Sequence, residues 1–382
     1  MSDPRPQVFG TCDERFTAVR DAFEQNFADG AELGAAVAVV HRDELVVDLW
    51  GGFADLERTR PWERDTRVVV ASTSKVVASI AGLMLLDRGL IELDEPIATY
   101  WPEFAAAGKA EIPVRQIFCH ATGVAGFDPP TPAEVIGGDW DASVEQLASQ
   151  APWWEPGTHN GYHSTTYGYL IGELVRRTTQ HSYTDFLRDE LTGRIDPDFT
   201  IGVAPGERGR IAELEVTEGR LFPDGPDSLA SRAESGMSPP ETGPVPVEWL
   251  DTCNPSGGGF TTARAIASVG ALLANSGTWR GERFLSEETV SLAWQEQRYE
   301  HDLVMGAPVR YGMGFGLASE EVPLPFPRSV HWGGFGGSAF VADPDSRTSW
   351  CYVPNRFLPD REGDARGKSV SAATVVSILE LG

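Results

Sequence analysis

The stretch Ser72-Thr73-Ser74-Lys75 offers the clearest chemistry in the sequence, because it is the single Ser-x-x-Lys in the chain. A serine hydroxyl becomes a useful nucleophile when a neighbouring base takes its proton. Residues three apart share one face of a helix, so Lys75 can reach Ser72. The lysine must be desolvated, or placed beside another cation, to be neutral at neutral pH. Taken alone, such a motif is more often an ordinary helix start, here capped by Ser72. Together with the segments below, it predicts Ser72 as nucleophile and Lys75 as its base.

Two later segments carry groups that could complete such a site. Tyr162 follows a Pro156-Gly157 turn and comes just before a predicted helix from Thr166. A phenolate there, or a phenol linked to Lys75, could relay a proton, and a structural aromatic is the alternative. The glycine-rich run His331–Ser338 lets a backbone N–H approach a ligand and complete an oxyanion hole, unless it is only a packed bulge. A third segment, Phe118–Gly123, is predicted to be architectural.

Together and in this order, these segments resemble the serine β-lactamase and penicillin-binding-protein superfamily. The closer similarity is to its class C-like esterases, the family VIII carboxylesterases, and it extends over most of the chain. The segments that carry the resemblance are Asp48–Gly52, Ala71–Lys75, Asp87–Leu90, Tyr100–Phe104, Cys119–Gly123, Pro156–Thr158 with Tyr162, Gly257–Gly259 and Trp332–Gly334.

The resemblance implies a role for several residues. Ser72 would be the acylated nucleophile, Lys75 its general base and Tyr162 the proton relay. The backbone N–H groups of Ser72 and Phe335 would form the oxyanion hole. The family needs no metal and no cofactor. The implied fold is α/β (α+β) and β-lactamase-like, with an antiparallel sheet flanked by helices and an inserted helical domain.

Two departures from the superfamily pattern bear on the substrate. Ser164 replaces the asparagine of Tyr-x-Asn, and Trp332-Gly333-Gly334 replaces Lys-Thr-Gly, whose lysine receives a substrate carboxylate. Trp332 offers an apolar wall and one N–H donor instead. His331 should point to the opposite face of its strand. The predicted substrate-binding residues are Trp332, Gly333, Gly334, Trp154 and Ser164.

These departures predict a serine carboxylesterase that cleaves neutral, short-acyl esters through an acyl-enzyme at Ser72. The alternatives are an acyltransferase, a β-lactamase or D-Ala peptidase, and a non-catalytic penicillin-recognising protein.

The elements that must position these residues can be outlined from periodicity and turn signals. A helix is predicted from Ser72 to the Asp87-Arg88-Gly89 stop. Two valine-rich runs, 34–41 and 44–51, predict a hairpin around Arg42-Asp43. A strand is predicted over His331–Val341, and a terminal helix over Ser369–Leu381. We expect residues 1–75 and 255–382 to form a discontinuous sheet domain and residues 76–254 a mainly helical domain, with the active site in the cleft between them and an irregular excursion over Phe222–Val247.

Composition limits the classes of partner. The 382 residues include 31 Lys and Arg against 56 Asp and Glu, a formal charge of −25, which argues against nucleic acids and anionic membranes. The four scattered cysteines form no Cys-x-x-Cys, and the polar N-terminus shows no signal sequence, so we expect a cytoplasmic protein. His159 and His163 lack the glutamate of a zinc motif, so no metal is expected. The expected partner is a small-molecule ester, and the oligomeric state is left open.

Overall fold

The chain is described by a computed structural model that covers residues 7–129, 131, 133–217, 228–235, 241–324, 326–358 and 364–381. Part of the predicted excursion over Phe222–Val247, namely residues 222–227 and 236–240, therefore lies outside the described residues. No helix within the covered ranges is both long enough and apolar enough to cross a lipid bilayer.

The strands of the described residues are Val8–Cys12 (β1), Gly34–His41 (β2), Glu44–Gly52 (β3), Val68–Val69 (β4), Phe199–Ile201 (β5), Glu215–Val216 (β6), Gly259–Thr261 (β7), Thr278–Trp279 (β8), Glu282–Arg283 (β9), Arg298–Asp302 (β10), Ala307–Tyr311 (β11), Gly316–Leu317 (β12), Val330–Gly333 (β13), Ala339–Asp343 (β14), Thr348–Pro354 (β15) and Arg356–Phe357 (β16).

The α-helices of the same residues are Thr17–Ala28 (α1), Ser74–Asp87 (α2), Ile97–Tyr100 (α3), Arg115–Phe118 (α4), Ala133–Gly138 (α5), Trp140–Ser149 (α6), Tyr167–Thr179 (α7), Tyr183–Phe186 (α8), Thr192–Ile195 (α9), Leu229–Ala233 (α10), Val247–Leu250 (α11), Ala263–Ala274 (α12), Glu287–Ser291 (α13) and Ala365–Glu380 (α14).

The described residues build one large antiparallel sheet from both ends of the chain. Its nine strands run in the order β1-β3-β2-β15-β14-β13-β12-β11-β10. The predicted hairpin is confirmed: β2 and β3 pair antiparallel, and Arg42 and Asp43 between them have φ angles of 51° and 67°. Positive φ at both central residues matches the turn to the twist of the strands. The two ends of the chain meet where β2 pairs with β15, the third and fourth strands of the sheet.

Helices cover both faces of this sheet, so β2 is buried on both sides. Its residues Ala35, Val37 and Val39 pack in one apolar cluster with α1 and α14, whereas Ala36, Ala38 and Val40 belong to a second cluster with α2, α7 and α12. The alternation follows from the two-residue period of a strand. The face toward α2 is the one that carries the predicted nucleophile.

The segment around Ser72 differs from the predicted single helix. Residues Ala71–Thr73 form a 3-10 helix, and the α-helix begins only at Ser74. The long helix α2 is buried along nearly its whole length, as its apolar sequence predicts, and Gly89 follows it with a φ angle of 64°.

The prediction of one strand over His331–Val341 is wrong. The segment forms two antiparallel strands, β13 and β14, joined by a turn in which Gly336 and Gly337 have φ angles of 95° and 105°. These are conformations that glycine alone adopts readily, and they reverse the chain. The terminal helix starts earlier than predicted, at Ala365, because the Asp364 side chain accepts from the N–H of Arg366 and caps it.

The observed antiparallel sheet with helices on both faces is the architecture that the sequence predicts. The proposed domain boundaries at residues 75/76 and 254/255 stay a prediction.

Helix α12 packs so closely on the sheet that it depends on Gly270. A methyl group at this position would overlap the ring of Phe340 on β14 and approach Ser349 on β15. Gly270→Ala should therefore destabilise the protein by about 1–3 kcal/mol, outweighing the gain of about 1 kcal/mol that alanine normally brings to a helix. Thermal unfolding checks this, with Gly206→Ala as control, since Gly206 has open space around it. An unchanged melting temperature for Gly270→Ala would contradict the packing described.

Candidate active site

The turn that carries Ser72 is held in an unusual backbone conformation. Ala71 has a φ angle of 44°, in the left-handed region that non-glycine residues enter at a cost of roughly 1–2 kcal/mol. Hydrogen bonds fix the turn: the Ser74 hydroxyl donates to the Ala71 carbonyl at 2.6 Å and accepts from the N–H of Gly259 on β7 at 3.0 Å. Such strain is typical of functional sites, where the surroundings enforce it.

Lys75 is fully buried at the start of α2, and its amine contacts three oxygens. Nζ lies 3.1 Å from Ser72 Oγ, 2.8 Å from the Ser164 carbonyl and 2.9 Å from the Ser256 carbonyl. A neutral amine has two N–H groups and one lone pair. The two carbonyls can only accept, so they take the N–H groups and leave the lone pair directed at Ser72. The arrangement suits proton transfer from serine to lysine.

Burial also favours the neutral form of this lysine. Removal from water lowers the pKa of Lys75 well below its usual value, because the charged ammonium loses its hydration. Of the two ways to a neutral lysine that the sequence left open, desolvation or a neighbouring cation, the structure provides desolvation.

Tyr162 contacts the same serine oxygen from the other side. Its hydroxyl donates to Ser72 Oγ at 2.6 Å, and Lys75 Nζ lies 4.9 Å from the centre of its ring. Burial raises the pKa of Tyr162, and the charge of Asp302 raises it further. Of the two forms that the sequence left open, the structure favours the phenol over the phenolate. Tyr162 can therefore donate a proton to a departing group.

Two buried histidines hold the loop on which Tyr162 lies. His163 donates from its peptide N–H to His120 Nδ1 at 3.1 Å, and the Gly161 N–H donates to the His120 carbonyl at 2.9 Å. The His163 ring lies 2.7 Å from the Gly161 carbonyl through Nδ1 and 2.6 Å from Thr122 Oγ1 through Nε2. Burial lowers the pKa of His163 to about 4, so the ring is neutral. His120 and Thr122 lie in the segment that we predicted to be architectural, and their contacts are of that kind.

Sequence reasoning missed Asp302, a fully buried carboxylate at the end of β10. Its Oδ1 accepts from the peptide N–H of Tyr162 at 2.9 Å. Sequence reasoning also missed the role of Ser256, whose carbonyl accepts from Lys75. Ser256 Oγ accepts from the Gly168 N–H at 2.8 Å and donates to the Thr165 carbonyl at 2.6 Å. The glycines at 257–259 marked that segment but not this residue.

The predicted oxyanion-hole donors lie on the nucleophile turn and on the β13–β14 turn. The peptide N–H groups of Ser72 and Phe335 have no hydrogen-bond partner among the residues that the structure describes. The two turns are joined, since Thr73 Oγ1 lies 2.9 Å from Ser338 Oγ, and Ser338 donates to the Val70 carbonyl at 2.9 Å. Gly334 sits between them, where a methyl group would overlap both Val70 and Ser338. Two free N–H groups on joined turns fit the needs of an oxyanion.

Trp332 lies against the proposed proton relay. Its ring centre is 6.1 Å from that of Tyr162 and 5.6 Å from that of His120. His331 is turned toward Gly316 on the neighbouring strand, and burial lowers its pKa to about 4. Neither residue supplies a positive charge.

The remaining predicted substrate-binding residues take different positions. Gly333, beside Trp332, is exposed at the end of β13. Ser164 contributes its carbonyl to Lys75. Trp154 lies further out: its indole packs on Gly161 and His163 and donates to the His159 carbonyl at 2.9 Å.

Arginines that could receive an anionic substrate are already paired. Arg310 donates to Glu296 at 2.7 Å and to the Ala318 carbonyl at 2.8 Å, and Arg356 donates to Glu215 at 2.5 Å. Within the described ranges, no cluster of three or more His, Cys, Asp or Glu side chains could hold a metal ion.

Comparison with known proteins assigns the family. A family model described as beta-lactamase matches residues 19–373. The chain belongs to the beta-lactamase family. It is 32% identical over 370 residues to the esterase/beta-lactamase LipL of Mycobacterium tuberculosis, covering 93% of this chain and 85% of that protein.

Two crystal structures are also similar. A family VIII carboxylesterase matches with a TM-score of 0.89 and 36% identity over 97% of this chain and 100% of its own. A penicillin-binding protein homologue from Caulobacter crescentus matches with a TM-score of 0.88 and 36% identity over the same shares. The predicted superfamily and fold are thereby confirmed, and the prediction of a serine ester hydrolase is supported.

The protonation states of the site predict its pH dependence. Lys75 must be neutral to act as base, so activity requires a pH above its lowered pKa; Tyr162 must keep its proton, so activity persists up to its raised pKa. kcat/KM for a neutral ester should therefore already be high well below the ordinary pKa of a lysine, about 10.4, and should stay high up to the ordinary pKa of a tyrosine, about 10. The measurement is a pH profile of initial rates. A loss of activity as the pH rises from about 7 to about 9 would contradict these assignments.

Proposed function

We propose that the protein is a serine carboxylesterase that forms an acyl-enzyme on Ser72. The observation that carries the proposal is the position of one oxygen: Ser72 Oγ is 3.1 Å from Lys75 Nζ and 2.6 Å from the Tyr162 hydroxyl. A nucleophile, a base and a proton donor within hydrogen-bond reach are what two-step acyl transfer requires.

In the first half of the reaction, Ser72 gives its proton to the lone pair of Lys75 while its Oγ bonds to the ester carbonyl carbon. The carbonyl oxygen becomes an oxyanion and accepts from the N–H groups of Ser72 and Phe335. When the intermediate collapses, the bond to the alkoxy oxygen breaks. Tyr162 donates a proton to that oxygen, Lys75 replaces the proton, and the alcohol leaves.

In the second half, water replaces the alcohol. It loses a proton toward Tyr162 and Lys75 while its oxygen bonds to the acyl carbon of the ester on Ser72. The second tetrahedral intermediate uses the same two N–H donors. Collapse breaks the bond to Ser72 Oγ, which recovers its proton from Lys75, and the carboxylic acid is released.

The substrate is proposed to be a neutral ester with a short acyl group. Trp332 stands where the superfamily has a carboxylate-binding lysine, and it presents a ring and one N–H. Arg310 and Arg356 are engaged with carboxylates of their own. The formal charge of −25 adds a general field that opposes anions.

We further propose a cytoplasmic protein that binds neither nucleic acids nor membranes. The four cysteines are free thiols, which fits a reducing compartment, and the acidic composition would repel polyanions.

Replacing the three reacting side chains tests the mechanism. Ser72→Ala should reduce hydrolysis of p-nitrophenyl butyrate to background, because no other nucleophile occupies its place. Lys75→Ala should cost nearly as much, since residues that act as a unit have non-additive effects. Tyr162→Phe should lower kcat by roughly 100-fold or more, as expected for a lost general acid.

The control is Ser149→Ala, an exposed serine at the end of α6, which should retain full activity. Mass spectrometry after treatment with a serine-reactive phosphonate should place the adduct on Ser72. Residual turnover by folded Ser72→Ala above background would refute the assignment of the nucleophile.

The absence of a carboxylate-binding cation predicts selectivity. A charge-assisted hydrogen bond is worth about 1.5–3 kcal/mol, or roughly ten- to a hundredfold in binding. kcat/KM for p-nitrophenyl butyrate should thus exceed the values for nitrocefin and benzylpenicillin by orders of magnitude on one preparation. Comparable values would mean that an arginine leaves its carboxylate to enter the cleft, and the enzyme would be a β-lactamase.

A further inference from the structure

Asp302 is a buried carboxylate directly behind the loop of Tyr162. Its Oδ1 accepts from three peptide N–H groups, those of Tyr162 at 2.9 Å, Val304 at 2.9 Å and Met305 at 2.7 Å. Its Oδ2 accepts from Asn160 Nδ2 at 3.2 Å and from the Tyr311 hydroxyl at 3.1 Å. The side chain therefore fastens the end of β10 to the loop that carries Tyr162.

These five partners are hydrogen-bond donors rather than cations, which makes Asp302 an unusual buried charge. Burial raises the pKa of this carboxyl, and the three peptide N–H groups and the Tyr311 hydroxyl oppose that rise. Peptide N–H groups can only donate, so Oδ1 must present lone pairs to all three. A carboxylate satisfies every donor, and no ion pair with a described residue cancels its charge. A buried charge of this kind extends its field to its neighbours.

The charge of Asp302 acts on the phenol groups of Tyr162 and Tyr311. In both residues burial raises the pKa of the phenol, and the negative charge of Asp302 adds to the shift. A phenolate at Tyr162 would be a second anion close to Asp302. The same carboxylate thus fixes the backbone of Tyr162 and disfavours loss of its proton.

We infer that Asp302 is a positioning residue for Tyr162: a buried anion that holds the tyrosine loop in place and keeps the tyrosine in its proton-donating phenol form. Asp302 does not touch the reacting atoms and acts through Tyr162. The inference rests on the proposed function, since it concerns the proton donor of that reaction.

Other groups also act on Tyr162, and the charge of Asp302 has to be separated from them. The contacts with Ser72 and Trp332 favour ionisation, whereas Glu234 adds a weaker field of the same sign as Asp302. The polar and titratable groups that face Tyr162 are Ser72 from the nucleophile turn, Lys75 from α2, His120 from the loop after α4, Tyr167 from α7, Glu234 from the segment after α10, Asp302 from β10, Tyr311 from β11 and Trp332 from β13. Those facing Asp302 are Asn160, Tyr162 and Tyr311.

Asp302→Asn separates the charge from the hydrogen bonds. Asn Oδ1 can keep all three peptide N–H contacts. Its amide NH2 would then face Asn160, whose own Oδ1 is buried without a partner among the described residues. A flip of the Asn160 amide brings this oxygen forward as an acceptor, and the Tyr311 hydroxyl can accept as well as donate. The variant therefore removes the charge and can retain the network.

The experiment follows the titration of Tyr162 by NMR of protein carrying 13Cζ-labelled tyrosine, with the signal assigned through Tyr162→Phe. In Asp302→Asn the midpoint for Tyr162 should fall by roughly one pH unit, the size of effect that one nearby charge exerts inside a protein. The alkaline limb of kcat should move the same way, with KM little changed. Asp343→Asn is the matched control: Asp343 is also fully buried, but it bonds to Ser329 and Ser346 at the far end of β14, and its replacement should leave the Tyr162 signal unchanged.

A rescue variant strengthens the test. Exchanging the two side chains, Asn160→Asp with Asp302→Asn, returns a carboxylate to the same network, and the titration of Tyr162 should return toward that of the unaltered protein. If Asp302→Asn alone does not fold, the exchange variant serves as the test. A folded exchange variant in which Tyr162 titrates as in the unaltered protein supports the inference. A folded exchange variant in which the titration midpoint of Tyr162 is shifted overturns it. A folded Asp302→Asn whose Tyr162 titrates as before also overturns it.

Failure of this inference is distinguishable from failure of the proposed function. The NMR titration needs no turnover. If the unaltered protein hydrolyses no ester but Asp302→Asn shifts Tyr162, the proposed function is wrong and the coupling stands. If the protein is an active esterase and the Tyr162 signal does not move, the coupling is wrong and the proposed function stands.

Discussion

The site depends on the exclusion of water from the side-chain amine of Lys75. Burial lowers the pKa of Lys75, and its amine donates to two backbone carbonyls rather than to a carboxylate. Carbonyl dipoles satisfy N–H groups without the full charge that would stabilise an ammonium. To supply them, the loop ending at Ser164 and the segment at Ser256 must both close on the first turn of α2. Much of the surrounding structure, from the strained turn at Ala71 to the hydroxyl network of Ser256, serves to bring these three stretches of chain together.

The substitution of Trp332 for a lysine agrees with this constraint. A second ammonium beside Lys75 would help to keep Lys75 neutral by repulsion, as well as bind a carboxylate. With Trp332 in that position, desolvation alone has to lower the pKa of Lys75, and desolvation alone is the cause that the structure provides. The site is consequently assembled from groups in their neutral forms: an amine, a phenol and two imidazoles. Such a site matches an uncharged ester better than an anionic β-lactam.

Much of the fold and of the site could be predicted from short-range sequence patterns. Ser72 and Lys75 are three residues apart on one turn, and Arg42-Asp43 marks a hairpin, so short-range rules sufficed. Asp302 and Ser256 could not be found in this way, because they act on partners 140 and 181 residues distant, Tyr162 and Lys75. Their effect depends on which loop the fold places beside them. The single strand predicted over His331–Val341 failed for another reason: alternation continues across the glycines, but their positive φ angles turn the chain back.

The pairing of β2 with β15 has a consequence for how the protein folds during its synthesis. His41 and Thr348, whose side chains meet at 2.8 Å, are 307 residues apart. Contacts of such long range are slow to form, because a long loop must close before they stabilise anything. On the ribosome, the β2–β3 hairpin emerges before β15 and must wait with one edge unpaired while the 307 residues that separate His41 from Thr348 are made. The nucleophile helix rests on that sheet, so the catalytic cleft takes shape only after β15 has been made, and the exposed edge of β2 is the segment most in need of protection until then.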